Sequence, residues 1–466
     1  MTSSDSDTTA GISPQLAVQR RTLAVLVTSQ IFSGAGLAAG ITVGALLAQD
    51  MLGSTDLAGL PSALFTAGSA LAAIAVGRIS QARGRRPGLA AGYLTGAVGS
   101  AGVIAAAVAD NPVLLFLALF VYGAGTATNL QARYAGADLA APAHRARAVS
   151  TVLVATTLGG VVGPNLAAPT GTLAQYFNIP ALAGPFLLSG TAYALAALVL
   201  AIWLRPDPLL LAHSLHARQQ AAAAAAVTAG GTGVGTAGNT PVGAGPVSAQ
   251  KGARRPGLLL GALTMILTQL VMTAVMTMTP VHMHDHGHGT AASGLVIALH
   301  VGAMYLPSPL TGWLVDLSHA RLCSPGGAPI GRVAVAAASG ITLLAAGIIA
   351  AAAPGDSVAL LALALVLLGL GWNFGLVSGT AMITDAVPLA TRAKTQGMVD
   401  VAIAVAGATG GLASGIVVSG AGYPILAIGG GILALAVLPA IAITASRTPS
   451  PVTPSPVTQA KGLRTR

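Results

Sequence analysis

Apolar stretches of about 20 residues, each nearly free of charge, recur along the whole chain. A helix of that length crosses a hydrocarbon core of roughly 30 Å. Lipid offers backbone polar groups no partner except one another, so segments of this kind are confined to a bundle of membrane-crossing helices. Of the 466 residues, 54% are hydrophobic and 7% charged, too little polar surface to cover a soluble fold. The spans fall at about 22–49, 57–79, 88–109, 112–137, 148–170 and 183–204, and again at about 258–280, 291–315, 331–353, 357–386, 397–419 and 422–444.

The expected fold class is therefore an all-α membrane protein, with about twelve transmembrane helices in two six-helix, pseudo-symmetric halves at 21–204 and 258–445. Residues 205–257, poor in large apolar side chains after Leu215, are expected to form a flexible cytoplasmic linker. The tails 1–20 and 446–466, the second containing "PSPVTPSPVT", are expected to lie in the cytoplasm, the latter disordered. The Ser-, Thr- and Asp-rich start lacks the basic segment of a cleaved signal peptide. Cys323 is the single cysteine, so no intramolecular disulfide is available.

The net charge of +10 is a matter of topology rather than of nucleic-acid binding. With the N-terminus inside, Arg78, Arg83, Arg85, Arg86, Arg145, Arg147, Arg332, Arg392 and Lys394 all fall on the cytoplasmic side, while the outer connections hold Asp50, Asp56, Asp110, Asp285 and Asp356 and no Lys or Arg. That is the positive-inside pattern, and it places both termini in the cytoplasm.

The halves echo each other. "GRISQARGRRPGL" (77–89) follows the second span and "GWLVDLSHARL" (312–322) the eighth, while "NLQARYAGADLAAPAHRARA" (129–148) matches "NFGLVSGTAMITDAVPLATRAK" (373–394) in the order of its Asn, Asp, Pro and basic residues. Parallel repeats of six helices are the sequence sign of a transporter with its path between the halves. The first of these stretches resembles the loop signature of the major facilitator superfamily: Gly77, Gly84, Arg85 and Arg86 match, Gln81 stands where the family usually has Asp, and Asp316 holds that place in the second half. The resemblance implies a major facilitator fold with these loops gating it, Asp316 being the better candidate for a conformational lock. Gly159, Gly163 and Pro164 in "GGVVGPN" resemble the fifth-helix motif of exchangers.

Soft ligands crowd one place. Six of the ten methionines (265, 272, 276, 278, 283 and 304) and five of the nine histidines (282, 284, 286, 288 and 300) fall between residues 265 and 304. Met272 and Met276 stack one turn apart on a helix, with Met265 and Gln269 extending the stripe, and His300 and Met304 repeat the spacing on the next helix. Counted inward from the outer ends, Met272 and His300 lie at similar depth, roughly 14 Å in at 1.5 Å per residue. Thioethers suit Cu(I) far better than hard cations, and a neutral site avoids burying a carboxylate in lipid. "MTAVM" paired with "HVGAM" resembles the MxxxM and HxxxM pair of CcoA-type copper importers, a group that supplies copper for haem-copper oxidase assembly and has relatives proposed to carry riboflavin. That resemblance implies Met272, Met276, His300 and Met304 as copper ligands in a bacterial-type cytoplasmic (inner) membrane.

His282, His284, His286 and His288 alternate in the outer connection: an extended segment projects them to one side, whereas a helix pairs 282 with 286 and 284 with 288, and Gly287 and Gly289 disfavour a long helix. They are candidates for metal capture at the mouth, against the plainer reading of a solvated loop or pH-sensitive lid. Gln30, Asn129, Asn165, Gln269 and Asn373 are candidates for the polar lumen or for interhelical hydrogen bonds. Arg133 is expected to snorkel to the interface. The chain has no Glu, and only Asp138, Asp385 and Asp400 approach the membrane, so proton coupling finds little support.

The expectation that follows is a monomeric secondary transporter that imports copper by alternating access, with the ion as cargo, no prosthetic group, the lipid bilayer as surroundings and no nucleic-acid partner. The alternatives are a carrier of an organic solute, a riboflavin-like compound or a drug, and a membrane metal sensor. No phosphate loop, nucleophile elbow or CxxC framework points to an enzyme.

Overall fold

The computed structural model describes residues 14–52, 60–230, 255–288, 290–317 and 330–446, and among them every regular element is helical. The first half holds α1 (Pro14–Leu52), α2 (Leu60–Arg83), α3 (Arg85–Val108), α4 (Pro112–Asp138), α5 (Arg145–Asn165) continued by α6 (Ala167–Tyr176), and α7 (Gly184–Trp203). After α8 (Pro208–Gly230), the second half holds α9 (Arg255–Asp285), α10 (Thr290–Tyr305) continued by α11 (Ser308–Leu317), α12 (Ile330–Ala352), α13 (Val358–Ala386), α14 (Arg392–Ala421), and α15 (Tyr423–Ala434) continued by α16 (Val437–Ser446). With each interrupted pair taken as one crossing, the two halves match span for span. Ten of the described helices or helix pairs are long and apolar enough to cross a membrane.

Several helices overrun the limits set by hydropathy. α14 starts at Arg392, α1 already at Pro14, and α9 passes through Pro280 to reach Asp285. Apolarity measures the hydrocarbon, whereas the backbone goes on hydrogen-bonding beyond it until a cap intervenes. At the far end of α9 that cap is Gly287, at φ +82°: the Gly287 N–H donates to the His284 carbonyl and the His288 N–H to the Met283 carbonyl, a Schellman ending.

The linker also departs from expectation. Pro208–Gly230 is helical, because a run of alanines is the best helix former there is and Leu209 and Ala212 give it a buried edge. Asp207, just ahead of it, accepts from the Arg86 N–H at 2.7 Å and caps α3 where Gly84 turns at φ +98°. Residues 231–254, the tail after Ser446, residues 1–13 and Cys323 lie outside the described residues.

Within each half the helices are held at backbone distance by small residues, the usual device where lipid supplies no hydrophobic drive. A Cβ added at Gly68 of α2 would sit 1.7 Å from the Phe120 carbonyl oxygen of α4. The halves meet along two pairs, α2 with α14 and α5 with α11. Here too the contact is close: a Cβ at Gly397 of α14 would lie 2.6 Å from the Ala73 carbonyl oxygen and 3.2 Å from the Gly77 Cα of α2, and one at Gly312 of α11 would lie 2.8 Å from the Ala146 carbonyl oxygen of α5.

These contacts involve the end of the bundle that carries the basic loops. Gly397→Leu cannot be accommodated without parting the halves there. Spin labels on Arg83→Cys and Lys394→Cys, in a Cys323→Ser background, are expected to move apart in Gly397→Leu with helical content unchanged; an unaltered distance distribution would contradict this account of the closure.

Candidate functional site

Hydrogen bonds and ion pairs join the halves at that same basic end. Arg133 of α4 is fully buried, with Nη2 2.7 Å from Asp400 Oδ1 of α14 and 2.9 Å from the Tyr134 hydroxyl, and Nε 3.1 Å from Thr380 Oγ1 of α13. The side chain does not snorkel, because a carboxylate waits for it in the other half. Arg85 reaches Asp138 at 2.8 Å and donates to Gln396 Oε1 of α14, while Arg392 stands 3.8 Å from Asp138. Arg145 and Arg332 share Asp385. None of these pairings is apparent from hydropathy, although two ionisable groups buried in spans of opposite halves were a sign that each needed a partner.

The loops add a pseudo-symmetric pair of latches. Asp316 at the end of α11 accepts from the Ala146 and Arg147 N–H groups, at 3.2 and 2.9 Å, across the first turn of α5. Gln81 at the end of α2 accepts from the Ala393 N–H at 2.9 Å and donates to the Leu389 carbonyl at 3.2 Å, at the start of α14. Each residue follows its interface glycine, Gly312 or Gly77, by four positions. A helix N-terminus favours a negative charge, so the Asp316 latch is the stronger of the two.

His300 of α10 is buried to zero exposure. Its Nδ1 lies 2.7 Å from the Leu365 carbonyl oxygen of α13, and its Nε2 has no partner. A carbonyl only accepts, so Nδ1 carries the proton and Nε2 of the neutral ring presents a lone pair. Met304, one turn on, is buried too, and its backbone carbonyl accepts from Asn373 Nδ2 at 2.7 Å. Met272 of α9 is buried and belongs to the same apolar cluster, with Met276 half-buried against it.

α9 and α10 touch only slightly. Both lean on α13, which stands between them. Met265 and Thr268 pack on Gly379 and Gly375 of α13, so the next turn of α9, at Met272, lies level with about residue 371. His300 packs on Gly369. The imidazole and the thioethers thus occupy one layer of the membrane, on two helices that flank a third.

The other candidates fall elsewhere. Gln30 and Asn129 are buried inside the first half, where Gln30 Nε2 donates to the Asn129 carbonyl and Thr156 Oγ1, both at 3.1 Å, and Asn129 Nδ2 donates to Ser33 Oγ at 2.8 Å. Asn373 ties α13 to Met304, Ser308 and Thr311. Gln269 is half-buried and accepts from the Trp372 indole N–H at 2.8 Å. Gly159 is pressed against α1, a Cβ there falling 2.1 Å from the Ile31 carbonyl oxygen. Gly163, Pro164 and Asn165 lie in the last turn of α5, their side chains outside the described residues. At the far mouth the His282 ring stacks on Tyr423 with centroids 4.4 Å apart and touches His286 at 4.3 Å, while His284 and His288 line an open cavity.

A two-half helical bundle, closed at one end by paired charges and holding a buried polar layer midway, is the architecture of a secondary carrier. Residues 24–328 match the profile of the Major Facilitator Superfamily, and the chain belongs to that family. It is 52% identical over 428 residues to YdeG of Bacillus subtilis (strain 168), described as an uncharacterized MFS-type transporter, covering 92% of each chain. The riboflavin transporter RfnT of Brucella anthropi is 30% identical over 385 residues, 82% of this chain and 85% of that one. Among solved structures, the proton:xylose symporter XylE superposes with a TM-score of 0.66 at 16% identity, over 93% of this chain and 96% of its own, a likeness of fold alone. The chain is therefore a multi-pass membrane transporter.

Asp316→Asn is expected to weaken the closed end by about 1 kcal/mol, roughly a fivefold shift in the ratio of closed to open molecules, and Gln81→Asp to strengthen it by a similar amount. The Arg83/Lys394 label pair measures both, and a shift in the same direction for the two variants would contradict the assignment.

Proposed function

We propose that this transporter imports copper by alternating access, with His300 and Met304 of α10 as the ligands of one station and Met272 and Met276 of α9, at the same depth on the other flank of α13, as a second, thioether station on the path. One observation carries the reading: His300 Nδ1 is held by the Leu365 carbonyl while Nε2, deep in the bundle, has no partner. Metal-binding imidazoles are oriented in this way, with one ring N–H donated to a carbonyl and the other nitrogen left for the ion. An unpartnered buried nitrogen otherwise costs about 1–3 kcal/mol, which a ligand recovers.

The charge balance fits a monovalent soft cation. All four side chains are neutral and soft or borderline donors, which suit Cu(I) better than a hard cation. In this reading the positive-inside rule puts the closed end, which carries the basic loops, in the cytoplasm, so the state described is closed on the inner side, with both termini inside and the chain in a bacterial cytoplasmic membrane. Parting of the halves at the α2–α14 and α5–α11 seams then exposes the layer inward, delivering copper for respiratory oxidase assembly.

A second reading is transport of a riboflavin-like solute, favoured by the 30% identity to RfnT. Its ring system would meet Gln269, Trp372 and Tyr305, the last two in edge contact at 5.6 Å, and would make no use of the sulfurs.

Cells expressing the wild type are expected to accumulate copper above the level of empty cells, and His300→Ala with Met304→Ala to return it to that level at equal membrane abundance. Riboflavin uptake in the same cells separates the readings: copper unchanged in the double variant, with riboflavin carried by both proteins, replaces the copper proposal with the organic one.

A further inference from the structure

The histidine-rich end of α9 is divided by the fold into two pairs with different surroundings. His282 and His286 are engaged with each other and with neighbours: His282 is stacked on Tyr423 of α15, and His286 Nδ1 lies 2.8 Å from the His282 carbonyl oxygen. His284 and His288 instead face an open cavity of about 370 Å³ that they share with Pro280, Ser293, Gly294 and Ile297. His288 Nε2 lies 2.8 Å from the Gly355 carbonyl oxygen, which fixes the proton there and leaves Nδ1 as the lone pair. For His284, an exposed residue, no hydrogen bond is found.

The electrostatics of the place favour a cation. The cavity lies at the C-terminal end of a helix of 31 residues, where the aligned peptide dipoles leave negative potential, and Asp285 stands exposed between the two histidines in sequence. The Gly287 cap stops the helix where His284 and His288, four positions apart, come to the same side.

We infer that His284 and His288 form a second metal site, a two-imidazole entry site for a borderline transition-metal ion at the mouth of the transporter, separate from the buried His300 layer. No group of three or more His, Cys, Asp or Glu side chains stands ready for a metal among the described residues. Two imidazoles therefore hold the ion, and water fills its remaining positions. Such a site binds weakly and exchanges fast, as capture from solution requires. Among divalent ions Cu(II) binds imidazole most strongly, which makes it a suitable probe of this nitrogen pair; imidazole takes copper in either oxidation state, and no change of oxidation state is involved between mouth and interior. The inference builds on the copper reading for its physiological meaning, yet its test does not depend on transport.

The probe is Cu(II) added to the purified full chain in detergent, read by electron paramagnetic resonance. The wild type is expected to bind one equivalent with superhyperfine splitting from two imidazole nitrogens. His284→Ala with His288→Ala removes that signal, while His282→Ala with His286→Ala, and separately His300→Ala, leave it intact. A signal that survives the first double variant, falls equally in both double variants, or shows no imidazole nitrogen overturns the inference. If the signal behaves as expected while copper uptake is absent, the mouth site stands and the transport reading falls.

Discussion

Inside a hydrocarbon layer no polar group can be left for water to satisfy, and that constraint shapes this molecule at every level. It confines the backbone to helices. It requires charges that enter the bundle to meet partners, which they do where the halves touch, Arg133 with Asp400 and Arg85 with Asp138. It ties Gln30, Asn129 and Asn373 to carbonyls and hydroxyls of neighbouring spans, so that these amides brace the two halves internally. Several buried side-chain atoms nonetheless lack a partner, Gln131 Oε1 and the Tyr193 hydroxyl among them, and of these Nε2 of His300 has a chemical use, since it is an oriented lone pair on a ring whose other nitrogen is already committed.

The seam is where structure turns into motion. Breaking one partner of a buried ion pair costs about 3–5 kcal/mol when the other charge stays buried. Opening this seam does not incur that cost in full, because separation of the halves returns both charges to water. The closed end is therefore held by interactions that lipid enforces and water releases, the property a gate needs. The two latches are unequal, Asp316 charged and Gln81 neutral, so the α5–α11 contact is bound more firmly than the α2–α14 contact. Glycines at both contacts let the backbones approach closely enough for these short side chains to reach across.

The fold was legible in the chain almost throughout, since about 20 apolar residues between basic loops can do little else. Where the structure departs from the sequence pattern, the causes are physical. Hydropathy ended α9 at Pro280, but the backbone ran on to the Gly287 cap and carried His282 and His284 onto the helix. The segment after Leu215 looked too poor in large apolar residues to pack, yet alanines fold it into α8 on propensity. Periodicity placed Met272 and His300 at one depth, and their positions along α13 agree; it gave no sign that α13 would stand between them, because which spans become neighbours is decided by tertiary packing. The Arg133–Asp400 pair was missed for the same reason: each residue was visible, and their separation by 267 positions was not bridged by any local pattern.

The central claim is that the orphaned nitrogen of His300 binds copper together with a neighbouring thioether. X-ray absorption at the copper edge, on protein loaded with Cu(I) in a His284→Ala/His288→Ala background, tests it most directly. The account predicts nitrogen and sulfur in the first coordination shell, with the nitrogen scattering lost in His300→Ala and sulfur scattering diminished in Met304→Ala. Failure to retain copper, or a spectrum unchanged by His300→Ala, would contradict it.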